Sequence, residues 1–152
     1  MKILLDTNVL LRLGDAGREA HAEVVDAVDW LVNQSHEIIL VPQVLYEYWV
    51  VATRPVENNG LGMMPKLVDR AISEWILLFR LLQDERGVFR SWRDLVTRHE
   101  VKGKVAHDAR LVAAMERHDV GTLLTFNKTD FARFGMINAV TPREILTDGL
   151  PA

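Results

Sequence analysis

Short, mostly apolar runs alternate along the chain with longer stretches whose apolar residues recur at helical spacing. Ile3-Leu4-Leu5, Glu37 to Val41, Thr122 to Thr125 and Ile137 to Val140 are the short runs, with the length of strands covered on both faces. Between them, Ala20 to Val32 carries apolar residues at 24, 25, 28, 31 and 32, the spacing of an amphipathic helix. Pro42 sits where proline is tolerated, in the first turn of a helix reaching about Thr53, and Pro55 prevents its continuation. Asn58-Asn59-Gly60 with Gly62 reads as a loop, and Lys66 to Leu82 as a long helix, strongly apolar from Trp75 onward. Ser91 caps a further helix to about His99, and Val105 to His118 is a helix closed by Asp119-Val120-Gly121. Helical turns are expected around Phe131 to Phe134 and from Pro142 to Leu146. Strands alternating with helices predict an α/β fold: a short parallel sheet of four to five strands with helices on both faces.

The chain has 152 residues, which suits one domain spanning 1–152, and a domain of that size buries roughly 68–70% of the surface its unfolded chain exposes. There is no cysteine, which excludes a disulfide framework, thiolate zinc sites and cysteine nucleophiles, and suits a reducing compartment. No apolar stretch approaches the roughly 20 residues of a membrane span, and no signal-peptide core opens the chain. A soluble, cytoplasmic protein is expected. With 18 basic against 21 acidic side chains and a net charge of −3, no global surplus advertises nucleic-acid binding. Locally, Arg86, Arg90, Arg93, Arg98, Lys102 and Lys104 outnumber Asp94 and Glu100, with Phe89 and Trp92 interleaved. That surplus suits either a phosphate backbone or a solvated helix face, and it makes Arg90, Arg93, Arg98, Lys102 and Lys104 candidates for RNA contact.

The candidate chemistry lies in carboxylates placed where charge is costly. Asp6 ends the first apolar run, and in open α/β sheets the carboxyl edge of the strands is where ligands bind. Glu47 lies one turn from Val44 and from Val51, and Asp108 projects between Val112 and Met115 on an apolar face shared with Leu111. A carboxylate buried alone protonates unless a cation or metal joins it. Each acid, taken singly, also has a plain structural role: Asp6 in a turn, Asp108 at a helix dipole, Glu47 snorkelling or paired with Arg54, Asp130 capping a short helix. Topology favours a common site. Asp6 and Asp130 lie just beyond strand ends, while Glu47 and Asp108 begin helices that flank such ends. Oxygen ligands without cysteine or paired histidine suit a hard cation, Mg²⁺ or Mn²⁺. The chain has no nucleophile elbow, no phosphate-binding glycine loop and no histidine or lysine clearly placed as a base, so metal-assisted hydrolysis of a phosphodiester is the leading chemistry.

Four stretches, in this order, carry a family resemblance across nearly the whole chain: Leu4-Leu5-Asp6-Thr7-Asn8-Val9, Val44-Leu45-Tyr46-Glu47-Tyr48-Trp49, His107-Asp108-Ala109-Arg110-Leu111 and Leu124-Thr125-Phe126-Asn127-Lys128-Thr129-Asp130-Phe131. With them the chain resembles the PIN-domain ribonucleases, and among those the VapC-like toxins of toxin–antitoxin pairs. The resemblance implies a Mg²⁺- or Mn²⁺-dependent endoribonuclease whose acidic core is Asp6, Glu47 and Asp108, with Asp130 the fourth carboxylate. Thr7, Asn8 and Thr125 would orient these groups. Asn127 stands where the family often has an acid, which leaves one metal or two open. A cognate antitoxin and a homodimer are implied as partners, and Trp75 to Leu82, apolar nearly all round, suits both core and interface. The alternatives are a non-toxin RNA-processing nuclease and a non-cleaving scaffold that binds RNA or protein.

Overall fold

The structure, a computed structural model, describes residues 1–151. Its centre is β1 (Lys2–Leu5), in which Ile3, Leu4 and Leu5 are fully buried. Each such side chain contributes about 1.5–3 kcal/mol of apolar transfer. The chain continues through α1 (Thr7–Leu13), α2 (His21–Asn33), β2 (Glu37–Leu40), α3 (Pro42–Thr53), α4 (Pro65–Leu78) and β3 (Arg80–Leu81). It then forms α5 (Val88–Arg98), α6 (Val105–Arg117), β4 (Thr122–Leu124), β5 (Asn138–Val140) and α7 (Pro142–Asp148). The five strands make one all-parallel sheet in the order β3-β2-β1-β4-β5, with Leu4 in register with Ile39 on one side and Leu123 on the other.

Strand order positions the site. The chain moves outward from β1 through β2 to β3, then returns to β4 and β5 on the other side. Parallel crossovers are right-handed, so this reversal puts the crossover helices α1 to α4 on one face of the sheet and α5 and α6 on the other. Packing agrees: α1 meets α2 and α3, α3 meets α4, and α5 meets α6, while α7, which follows the last strand, returns to the first face beside α2. The reversal leaves a crevice between β1 and β4 at the carboxyl edge, the switch point at which α/β sheets bind ligands.

Three local expectations are corrected. The apolar stretch 66–82 is not one helix: α4 ends at Leu78, Phe79 turns extended, and Arg80–Leu81 pair with Ile39 and Leu40. The edge of β2 presents unpaired backbone groups, and joining it satisfies more of them than another helical turn does; Leu82 adds a further bond, N–H to Leu40 O at 2.9 Å. α5 starts at Val88 rather than at a Ser91 cap. The turn after β4 is a 3-10 helix over Lys128–Phe131, one turn earlier than expected. One helix, α1, had no counterpart in the reading of the sequence. It begins immediately after β1 because Asp6 is its N-cap, its Oδ1 accepting from the Thr7 N–H at 2.7 Å, and a capped start makes even a seven-residue helix tenable.

Candidate active site

Asp6 stands at the crevice with 8% of its surface exposed. While Oδ1 caps α1, Oδ2 accepts from Thr125 Oγ1 at 2.7 Å and from Asn8 Nδ2 at 3.3 Å. Thr125, fully buried at the end of β4, also accepts from the Asn127 N–H at 3.0 Å, so one hydroxyl ties the first strand end to the segment after the fourth. Asn8 closes the same seam, its Oδ1 accepting from the Phe126 N–H at 3.2 Å. Behind it Arg12 is occupied elsewhere, donating to the Asn8 carbonyl at 2.7 Å and lying over the Phe126 ring at 4.4 Å.

Glu47 reaches the crevice from α3. Thr7 Oγ1 donates to its Oε2 at 2.7 Å, and Gln43 Nε2 to its Oε1 at 3.0 Å. Asp108 enters from the first turn of α6. Together Asp6, Thr7, Asn8, Glu47, Asp108 and Asn127 supply the polar lining of an open cleft of about 480 Å³, whose apolar wall is Leu11, Val50, Val51 and Phe131. Asp130 is exposed on the 3-10 turn and does not line the cleft, although its charge reaches both Asp6 and Asp108. Asn127 does line it.

Burial and like charge set the electrostatics. Loss of water pushes the Asp6 carboxyl up; hydrogen bonds from Thr125 and the Thr7 N–H oppose this, and Glu47 and Asp130 add to the rise. Asp108 is pushed up to about 6, first by burial and then by the charges of Asp6, Asp130 and Glu47, with His107 acting against them. None of the four carboxylates takes part in any of the six ion pairs among the described residues; even Lys128, beside Asp130 in sequence, pairs instead with Glu144. Those ion pairs thus supply these acids with no counter-charge. Among the described residues no three acids or histidines stand close enough together to hold a metal ion as they are placed. The donor set of carboxylates, one hydroxyl and two amides fits a hard divalent ion.

The basic residues singled out for RNA contact are placed elsewhere: none lines the cleft. Arg90 faces a separate hollow with Arg86 and Arg117, Arg98 pairs with Asp94 at 2.8 Å, and Lys102 lies beside His99 and Arg133. Arg93 and Lys104 are exposed, the latter just ahead of the helix that carries Asp108. Gln43 and Arg110, by contrast, were not singled out in the sequence. The available signal was the four-residue spacing of Gln43 and Glu47, which stacks them on one helix face.

A five-stranded parallel α/β sheet with unpartnered acids gathered at its switch point defines a class, the α/β domains that do chemistry at the carboxyl edge. Within that class the chain belongs to the PIN-domain family, whose model matches residues 3–136. Among solved structures it is similar to VapBC2 from Rickettsia felis bound to a promoter DNA fragment, with TM-score 0.69 and 14% identity over 93% of this chain and 98% of that one. It is also similar to VapC20 of Mycobacterium tuberculosis, described as a sarcin–ricin loop cleaving toxin, with TM-score 0.63 and 17% identity over 86% and 93%. A toxin–antitoxin complex from Klebsiella pneumoniae matches with TM-score 0.61 and 23% identity over 92% and 97%. At these identities the likeness is one of fold. No match was found among curated proteins.

Proposed function

We propose that residues 1–152 form a single nuclease domain, a Mg²⁺- or Mn²⁺-dependent endoribonuclease that serves as the toxin of a toxin–antitoxin pair. The observation that carries this reading is the set of carboxylates at the switch point with no cation of their own. Asp6, Glu47 and Asp108 would hold the ion, with Asn127 or Asp130 completing the set from the segment after β4. Bound there, the ion would polarise the scissile phosphate and make an attacking water more acidic. The chain's own part is orientation. Thr125 and the start of α1 hold the Asp6 carboxylate, Thr7 holds Glu47, and the wall of Leu11, Val50, Val51 and Phe131 lowers the local dielectric and strengthens each charge interaction.

Support for the toxin role comes from the fold shared with a toxin described as cleaving the sarcin–ricin loop and with a toxin–antitoxin complex. On α4, Leu77 is 86% and Leu78 68% exposed, an apolar face that suits a homodimer or the antitoxin. The decisive experiment is induced expression with sequencing of RNA 5′ ends, wild type against Asp6→Asn. New ends found only with the wild type give activity and target together, and identical profiles overturn the reading. Light scattering tests the dimer, which a monomer at high concentration would exclude.

A further inference from the structure

Gln43 is a polar side chain, 7% exposed, one turn ahead of Glu47 on α3. Its Nε2 donates to Glu47 Oε1 at 3.0 Å and to the His107 carbonyl at 2.8 Å, while its Oε1 accepts from Arg110 Nη1 at 3.0 Å. A guanidinium can only donate, so the amide oxygen must face Arg110, and both amide hydrogens are left for the carboxylate and the carbonyl. Arg110 therefore holds the amide from its oxygen end, in the same sense as the two acceptors hold its nitrogen. Its other nitrogen, Nη2, lies 3.4 Å from Asp84 Oδ2, which keeps the cationic group one amide away from the acids.

We propose that Gln43 is a positioning residue for the cation site: it clamps Glu47 and docks α3 onto the first turn of α6, where Asp108 sits, with Arg110 bracing the amide from its oxygen end. The inference rests on the metal-nuclease reading above. Without a clamp, Glu47 would swing away from the like charges of Asp6 and Asp108 toward solvent. Thr7 and Gln43 each engage one of its oxygens, which confines the carboxylate to one rotamer. The choice of an amide has a reason. A lysine or arginine at 43 would hold Glu47 as firmly but would cancel the negative charge that attracts the ion, whereas a neutral donor orients the carboxylate and leaves its charge intact. The second amide hydrogen, on the His107 carbonyl, couples that orientation to the residue preceding Asp108.

The test is Mn²⁺ binding to the full chain by calorimetry, up to millimolar ion, with a thermal melt of each variant. Hydrogen-bond partners of metal ligands are worth about 10–100-fold in affinity, so Gln43→Leu is expected to bind Mn²⁺ about 10–100-fold more weakly while remaining folded. Arg110→Met should weaken binding in the same direction and Arg110→Lys, which keeps a donor, should restore most of it. In a Glu47→Gln background, Gln43→Leu should cause a smaller further loss, that part which passes through the His107 carbonyl. A folded Gln43→Leu protein that binds as the wild type does, or an equal loss in the Glu47→Gln background, overturns the proposal. Should Gln43→Leu fail to fold, the Arg110 pair decides, and equal affinity of Arg110→Met and wild type overturns it. A wild type that binds no Mn²⁺ sinks the metal-nuclease reading and this inference with it; binding in the wild type that Gln43→Leu leaves unchanged sinks the inference alone.

Discussion

Acidic side chains in this protein live in two opposite settings. On the outer surface Glu37, Asp84, Glu85 and Asp94 each meet an arginine: Arg80, Arg110, Arg117 and Arg98 respectively. At the carboxyl edge of the sheet Asp6, Glu47, Asp108 and Asp130 have no such partner among the described residues, and Asp6 and Asp108 feel the charges of the other acids. The consequence is visible in their proton affinities. The hydrogen bond from Arg117 holds Glu85 below the usual carboxylate range, whereas burial and its neighbours push Asp108 up to about 6. Paired surface acids are locally complete and can be lost at little cost. The crevice acids store unfavourable desolvation and repulsion that a proton or an added cation relieves, and that imbalance, more than the number of acids, marks the site.

The largest expected break in this contrast is Asp6→Asn. The amide removes a buried charge from the cluster, so cleavage of RNA should fall to background while the metal-free protein melts no lower than wild type. A variant that keeps its activity, or that unfolds, would show Asp6 to be structural instead. Next in size is the response to the cation itself: at about 100 times its dissociation constant, Mn²⁺ should stabilise the fold by about 2.7 kcal/mol, read as a rise in melting temperature that chelation reverses. The Asp94→Ala protein should respond in full and Asp108→Asn should lose most of the response.

A smaller effect distinguishes the two settings by pH. Asp108 has a folded value of about 6 against 3.8 for the free side chain. Between those values the folded state binds more protons than the unfolded one, so metal-free stability should decline as pH rises through about 4 to 6. The penalty is absent below that window and complete above it. Denaturant titrations at pH 4, 5 and 7 on wild type and Asp108→Asn would test this, since the substitution should flatten the decline; an equally steep decline in the variant assigns it to another group. The smallest effect belongs to the outer set. Asp94→Ala breaks an exposed i,i+4 pair with Arg98 and should cost about 0.3–0.5 kcal/mol or less, and a loss several times larger would mean that the surface pairs are more than local.

Much of the fold could be read before any tertiary contact was known. The strands of the sheet's interior are short and apolar because both their faces are covered, and α2, α3 and α6 follow the helical period closely. The misreadings share a cause. β3 is two residues long and exists only because β2 offers an edge, so nothing within Arg80–Leu81 distinguishes it from the end of an apolar helix. In α1 the overlooked signal was local: the same Asp6 singled out for chemistry is also the cap. Of the apolar stretch from Trp75, Trp75 and Phe79 stack against each other, with ring centroids 6.0 Å apart, and pack on the core, while Ile76, Leu77 and Leu78 face outward. The period of that helix held no hint of which side would be covered.

By itself the sequence determined the elements other than β3 and which carboxylates sit at their ends, because burial period, caps and prolines act within a few residues. It also determined family membership, through four stretches kept in one order. Only the tertiary structure decided which acids share a cleft. Asp6 and Thr125 lie 119 residues apart in the chain and meet because the strand order reverses between β1 and β4. The structure likewise put Asn127 in the lining and Asp130 at its margin, moved the arginine-rich stretch away from the cleft, and revealed Gln43 between Glu47 and Arg110. A charge goes unpaired, and an amide acquires a direction, through neighbours that are distant in the chain, and those neighbours are set by topology.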